Sequence, residues 1–472
     1  MLTYSFENRG KKSLYMFLYE QIKQDILSGT LKAGNKLPSK RALAKHLNVS
    51  TITVENAYEQ LIAEGYLYTV PKSGSYVSDI TALNPFKSRH DERIPTGTFI
   101  REDRTKETYF ADFAGNSTSP DTFPFKTWKK LNRITMTDCV EDLMIPSPPG
   151  GINILKEAIV FHLMDFRDIQ VYPSQIVIGA GTEYLYNILI QLLGRDKIYA
   201  VEDPGYQKIS HIYHANNVPC VHVPLDKKGI KIDALRKTGA DILHISPSHH
   251  FPTGIVTPIS RRYELLAWAM EQPDRYIIED DYDSEFRLAG RPIPALQNID
   301  SAGKVIYMNT FSKSLSSTIR ISYMVLPDEL ADRYNQELNF YNCTVSNFDQ
   351  YTLYQFMVKG YLEKHINRMR NYYRVQRDTL LECMRAQPHY AKVTIKEEHA
   401  GLHFLLEVDT KCSDEELVAK IAKKGIRISC LSEYFHNKKD AKKHTLVINY
   451  SGVQPERIEE AVDRLFAGIF GD

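Results

Sequence analysis

Lys313 stands in the run Thr310-Phe-Ser312-Lys313-Ser-Leu-Ser-Ser-Thr-Ile-Arg320, one amine and one guanidinium among hydroxyls. Upstream lies Glu279-Asp280-Asp281-Tyr282-Asp283-Ser-Glu-Phe286, an acid cluster that by itself suits a divalent cation. Earlier still, Gly179-Ala-Gly181-Thr182 opens an apolar run, and amides at such a helix start can cradle a phosphate. Each signal alone is weak, because glycine turns often merely join elements. Together they fit an anionic aldehyde cofactor better than a metal. Pyridoxal phosphate needs an amine for a Schiff base, a carboxylate to keep its ring nitrogen protonated, and donors for its phosphate. Lys313, Asp280, and Arg320 with Thr182 meet those needs, and Ser312 beside the lysine belongs to the same set. Tyr282 and Tyr206, the latter in Glu202-Asp-Pro-Gly-Tyr206, are candidates for a phenol at the ring oxygen and an aromatic face against the ring. In a chain of 29 tyrosines the competing explanation for each is ordinary packing.

Something must bring these residues together. Apolar β-rich runs at 175–178, 197–201, 241–245, 275–278 and 304–308 each end in polar or glycine-rich residues, and helical patterns intervene. That rhythm predicts an α/β domain, a parallel sheet covered by helices on both faces. Ligands bind at the carboxyl ends of such strands, where every residue named above falls.

The first eighty residues have a different grammar. Leu14, Leu18, Ile22 and Ile26 recur every fourth residue and predict a helix that stops at Ser28-Gly29. Ser39 can cap a second helix carrying Leu43 and Leu47, and Ser50 a third carrying Val54, Tyr58, Leu61 and Ile62, and both serines also count among the candidate DNA contacts. Thr51, Thr53, Glu55 and Asn56 are then left to face outward as candidate base readers. Residues 66–77 read as two short strands around a turn, a wing, with Lys72 and Gly74 at its tip. Lys32, Lys36, Lys40, Arg41 and Lys45 cluster without an intervening acid, either a phosphate-binding patch or a solvated helix face. The predicted partner of this region is double-stranded DNA.

The bulk numbers limit the alternatives. A length of 472 residues with 43% hydrophobic content implies more than one core. Lysine plus arginine (59) nearly cancels aspartate plus glutamate (58), so any nucleic-acid site must be local. Six scattered cysteines make neither a disulfide framework nor a metal set, and no stretch approaches a membrane span, so the expected location is the cytoplasm. Residues 79–108, charged and with Pro85, Pro95 and Gly97, have the composition of a flexible linker. The expected domains are therefore 1–78 for DNA binding and 109–472 for the α/β part.

Two resemblances sharpen this. The string L-P-S-K-R-x-L-A-x-x-L-x-V-S-x-x-T-V-x-x-A-Y-x-x-L-x-x-E-G, from Leu37 to Gly65, resembles the GntR-type winged helix-turn-helix, although Thr51 and Lys40 stand where that family commonly has arginine and an acid. Beyond Phe110, E-D-P-G-Y, P-S-H-x-F-P-T-G, Y-I-I-E-D-D-Y-D-S-E-F, T-F-S-K-S-L and R-I-S-Y-M-V-L-P resemble the fold-type-I aminotransferase-like domain of MocR/GabR-type regulators. The resemblance implies Lys313 as the Schiff-base lysine, Asp280 on the pyridine nitrogen, Tyr282 on the ring oxygen, and Tyr206 stacked on the ring. It gives the phosphate to Arg320, Gly181 and Thr182. It also implies a small α/β subdomain from about residue 350, a homodimer, and a transcription regulator that senses an amine, an amino acid or pyridoxal phosphate itself.

Three departures bear on that expectation. Ser317-Thr318 replace the usual Pro-Gly before the phosphate arginine. Ser432-Glu433-Tyr434 stand where the GABA-responsive member has a carboxylate-binding arginine, which argues against GABA as effector and leaves Arg427 or Arg287 as substitute clamps. Phe251 precedes Pro-Thr-Gly where working enzymes often have asparagine, so turnover is not expected. The alternative is a catalytically active aminotransferase with an accessory DNA-binding domain.

Overall fold

The computed structural model describes residues 2–6, 9–10, 12–80, 109–115, 122–288, 293–398 and 401–471. It divides into two compact units, Met1–Lys106 and Glu107–Asp472. The linker expected over 79–108 lies, beyond its first two residues, outside the described residues.

In the first unit, helices Leu14–Leu27, Lys40–Leu47 and Thr51–Ala63 precede strands Leu67–Val70 and Gly74–Val77, which pair antiparallel from Leu67↔Val77 to Val70↔Gly74. The spacing of the apolar residues gives the reason: Leu18, Ile22, Leu43, Val54, Tyr58 and Leu61 all turn inward and share one core with Leu67 and Val77. Ser39 and Ser50 cap the second and third helices, each Oγ accepting from a backbone amide, Ala42 at 3.2 Å and Thr53 at 3.1 Å. Asn48 at φ +55° ends the second helix in the left-handed region that a short polar residue tolerates.

In the second unit an eight-stranded sheet runs in the order Ile176–Gly179, Ser322–Val325, Val305–Thr310, Tyr276–Asp280, Ile242–Ile245, Tyr199–Asp203, Cys220–Asp226, Gly229–Ile230. The five predicted strands are present and those from Val305–Thr310 through Cys220–Asp226 are parallel, but the sheet is mixed. Ser322–Val325 lies antiparallel between its two neighbours. The chain returns directly after the loop carrying Lys313 and Arg320, too short a connection for the dozen or more residues of a parallel crossover. Alternate residues divide between the two faces: Val177, Met308 and Met324 enter one core, Ile178, Tyr307 and Tyr323 the other.

The C-terminal part adds an antiparallel sheet in the order Val393–Lys396, His403–Val408, Thr445–Asn449, Ser429–Cys430. Helix Tyr361–Arg385 joins the two layers. Its Leu362 and Ile366 pack in the core of the large sheet, whereas Met369, Tyr373, Leu380 and Met384 pack with Leu417, Leu446 and Leu465 in the smaller one. No helix among the described residues is long and apolar enough to cross a membrane.

Candidate functional site

Parallel pairing of Tyr276–Asp280 with Val305–Thr310 sets Asp280 opposite Met308, so both strands end on the same side. Thr310 then caps the short helix Phe311–Ser314, its Oγ1 accepting from the Ser312 amide at 3.1 Å, and this turn carries Lys313. A cavity of about 660 Å³ opens there, and Thr182, Tyr206, Asp280, Tyr282, Ser312, Lys313 and Arg320 all line it. Gly181, at φ +92°, caps helix Thr182–Leu193. A Cβ on it would come within 2.4 Å of Arg320 Nη2, so only a glycine lets the guanidinium close on the turn. Every cofactor residue read from the sequence is thus gathered in one place.

Removal from water pushes the Lys313 ammonium down to about 8, against the upward pull of Asp283 and Asp280. A substantial fraction of the amine is therefore neutral, and nucleophilic, near physiological pH. Asp280 accepts from the Tyr186 hydroxyl on Oδ2 at 2.8 Å, while its buried Oδ1 has no hydrogen-bond partner. An orphaned carboxylate oxygen beside an amine is what a protonated ring nitrogen would satisfy. His244 lies behind, with Nε2 3.9 Å from Asp280 Oδ2 and Nδ1 2.8 Å from the Tyr213 hydroxyl. Burial and the surrounding carboxylates push the Tyr282 hydroxyl well above its ordinary range, so it stays a donor. Its oxygen stands 3.3 Å from His249 Nδ1, which donates to Asp283 Oδ2 at 2.7 Å.

Two of the remaining acids of the 279–285 cluster are held by close structural partners. Asp281 pairs with buried Arg167 at 2.8 Å and accepts from Tyr307 at 2.6 Å, and Glu279 accepts from the amides of Leu296 and Gln297. Tyr186, His244, His249, Glu183 and Lys208 were not singled out from the sequence. Tyr186 lies four residues after Thr182, on the same helical face, and that spacing was the available signal.

The mouth is aromatic. Phe251 meets Tyr206, Tyr434 and His403 edge-on, with ring centroids 6.0, 5.3 and 5.1 Å away. Glu433 turns back to accept from the Cys430 amide at 2.7 Å. Neither suggested clamp lines this cavity among the described residues: Arg427 pairs with Asp112 at 3.1 Å, and Arg287 lines a different cavity. In place of the Pro-Gly turn, Ser316 and Thr318 bond through their hydroxyls at 2.8 Å, and Arg320 sits at φ +54°.

In the first unit, Thr51 and Asn56 are exposed on the third helix and Thr53 is half-buried. Ser39 and Ser50 use their oxygens as caps. Lys36, Arg41, Lys72 and Gly74 are exposed, Lys36 with its ammonium 5.8 Å from the Tyr76 ring centroid and Lys72 at φ +60° in the wing turn. Lys40 differs: its ammonium donates to Glu55 Oε1 at 2.6 Å, so the basic cluster is partly neutralised from within.

Residues 14–77 match the family of bacterial regulatory proteins, gntR family, and residues 116–465 match aminotransferase class I and II. The chain is 37% identical to the HTH-type transcriptional regulator YdeL of Bacillus subtilis (strain 168), with 96% of each chain covered. It is 31% identical to the probable rhizopine catabolism regulatory protein MocR of Rhizobium meliloti, over 95% of this chain and 92% of that one. Among solved structures, a kynurenine aminotransferase of Pyrococcus horikoshii, crystallised in complex with PMP, superposes with a TM-score of 0.66 at 23% identity, over 77% of this chain and 91% of that one. The second unit therefore has the fold-type-I aminotransferase fold.

Proposed function

The chain belongs to the MocR-type transcription regulators, which fuse a GntR helix-turn-helix to an aminotransferase domain, and from that premise we propose that its second unit binds pyridoxal 5'-phosphate at Lys313 and senses an amine, an amino acid or the cofactor itself. One observation carries the cofactor reading: the orphaned Oδ1 of Asp280 in the same cavity as an amine whose pKa burial lowers to about 8.

When bound, the cofactor supplies an aldehyde that takes up a primary amine and a ring that withdraws electrons from it. Lys313 is the resting amine. Asp280 Oδ1 holds the proton of the ring nitrogen, and Tyr186 keeps the carboxylate turned for that task. Tyr282 would donate to the ring oxygen, and Tyr206 would stack on the ring. Arg320, Thr182 and the bare backbone of Gly181 receive the phosphate, with Ser312 adding a hydroxyl. Phe251 brings an apolar edge and no hydrogen-bond donor to the mouth, which favours sensing over turnover.

The first unit binds double-stranded DNA, with the third helix in the major groove, Thr51, Thr53 and Asn56 toward base edges, and Arg41, Lys36 and the wing's Lys72 toward phosphates. A homodimer presents two such units.

The test is an absorption spectrum of the purified protein with added pyridoxal phosphate, before and after borohydride, beside Lys313→Ala. A yellow band that borohydride abolishes and the variant lacks supports the reading. Colourless wild-type protein under the same conditions refutes it and leaves the second unit a dimerisation scaffold.

A further inference from the structure

We propose that Glu183 is a built-in competitor for the cofactor's phosphate and sets how tightly the second unit holds a phosphorylated aldehyde. The inference rests on the reading that Arg320 and the start of helix Thr182–Leu193 receive that phosphate. Arg320 Nη2 stands 2.8 Å from Glu183 Oε2, and the Lys208 ammonium bonds Glu183 Oε1. Two cations from separate segments, the helix Gln207–Ala215 and the loop after Lys313, thus converge on one carboxylate.

Glu183 is the second residue of its helix, where unpaired amides and the macrodipole favour an anion. A phosphate needs the same helix end and the same guanidinium. An ordinary first-turn acid would need no partner from elsewhere in the chain, yet this one holds Arg320, whose guanidinium lies so close over Gly181 that it would have to move to admit a Cβ there. The carboxylate occupies a place built for an anion.

The pair is also the right strength to yield. Arg320 and Glu183 side chains are 45% and 38% exposed, so water and salt screen their attraction, and a dianion can displace the carboxylate. A buried pair would resist. Lys208 retains the carboxylate after it leaves Arg320, keeping its charge away from the incoming phosphate. Cofactor affinity is therefore lower than the cradle alone would give, and occupancy follows the free cofactor concentration.

Titration of the full-length protein with pyridoxal phosphate, followed by absorbance, compares wild type with Glu183→Gln. Pyridoxal, which has no phosphate, is run in parallel. The variant is expected to bind pyridoxal phosphate about fivefold more tightly, the scale of an exposed ion pair, and pyridoxal unchanged. Lys208→Met is expected to weaken pyridoxal phosphate binding in wild type and to have no effect in the Glu183→Gln background. Unchanged or weaker binding of pyridoxal phosphate by Glu183→Gln, or an equal gain for pyridoxal, overturns the proposal. A Lys208→Met loss that persists without Glu183 overturns the part given to Lys208. If wild type takes up no pyridoxal phosphate at any concentration, the cofactor reading itself has failed and the competitor role falls with it.

Discussion

Tyr186 donates its hydroxyl to Oδ2 of Asp280 at 2.8 Å and leaves Oδ1 of the same carboxylate without a hydrogen-bond partner. One oxygen is fixed by the protein and the other is buried without a partner, in a residue that lines the same cavity as Lys313. The tyrosine comes from helix Thr182–Leu193, whose first turn also forms the proposed phosphate cradle, so one rigid element orients both ends of the site.

Tyr186→Phe removes the hydrogen bond to Asp280 Oδ2, an oxygen from which His244 Nε2 stands 3.9 Å away. A buried carboxylate oxygen left without its donor costs roughly 1–3 kcal/mol. We expect a stability loss of that size in chemical denaturation of the cofactor-free protein, together with weaker uptake of pyridoxal phosphate. Asp280→Asn should abolish the uptake while retaining the fold. A Tyr186→Phe variant as stable as wild type and as avid would show that the hydrogen bond does not position Asp280.

Lys313 makes the folded state pH-dependent in a predictable direction. Burial lowers its pKa from 10.5 to about 8, so between these values the unfolded chain holds a proton that the folded chain has released. Stability of the cofactor-free protein, relative to Lys313→Met, should therefore rise as pH climbs from about 8 toward 10.5. The rate of colour development with pyridoxal phosphate should rise through the same lower limit, because the neutral amine is the nucleophile. A flat rate between pH 7 and 9 would contradict the lowered pKa (pH limits about one unit either side of 8).

Glu202 should act in the opposite sense. Burial pushes its pKa up from 4.5 to about 8, although it accepts from the Ser246 amide at 3.0 Å, and His250 Nε2 lies 3.5 Å away. Its protonated form is the one the fold prefers, so its contribution is complete below 4.5 and is lost as pH rises through about 8. Glu202→Gln should gain on wild type over that window. Glu285, also pushed up to about 8, titrates in both proteins and cancels from the difference. Thermal melts of the pair across that range measure it, and parallel curves would refute the assignment.

The sequence exposes the strand-end chemistry of this site but conceals what supports it. Lys313, Asp280 and Tyr282 are legible because they fall at or just beyond the carboxyl ends of apolar strand runs, where ligands of such a sheet bind. Tyr186 and His244 look like ordinary members of a helix and a strand, and their polar atoms matter only because folding brings them to Asp280. Ser322–Val325 escaped the strand reading because nothing local distinguishes a parallel from an antiparallel neighbour. That direction is fixed by the short loop before it. Ser39 and Ser50 were legible as caps, and that use of their oxygens competes with the DNA contacts expected of them.

The DNA-binding surface yields a prediction that separates two adjacent cations. Lys40 and Arg41 are neighbours at the start of the second helix, but Lys40 donates to Glu55 Oε1 at 2.6 Å and lies 3.6 Å from Glu59, whereas Arg41 is exposed. The Glu55 contact holds the Lys40 pKa above its ordinary value, which keeps it charged and keeps that charge engaged. A phosphate must compete with two carboxylates for Lys40, whereas Arg41 has no ion pair among the described residues. Arg41→Ala should therefore weaken binding to a random-sequence duplex and lower the slope of log affinity against log salt by about one. Lys40→Ala should change both less, and Glu55→Gln should strengthen binding by releasing Lys40. Fluorescence anisotropy over a salt series measures all three. If Lys40→Ala lowers the slope as much as Arg41→Ala does, the ion pair opens on DNA and the lysine serves the backbone after all. In that case Glu55, freed from Lys40, becomes the group on the third helix positioned to discriminate bases, since a carboxylate accepts from cytosine and repels phosphate.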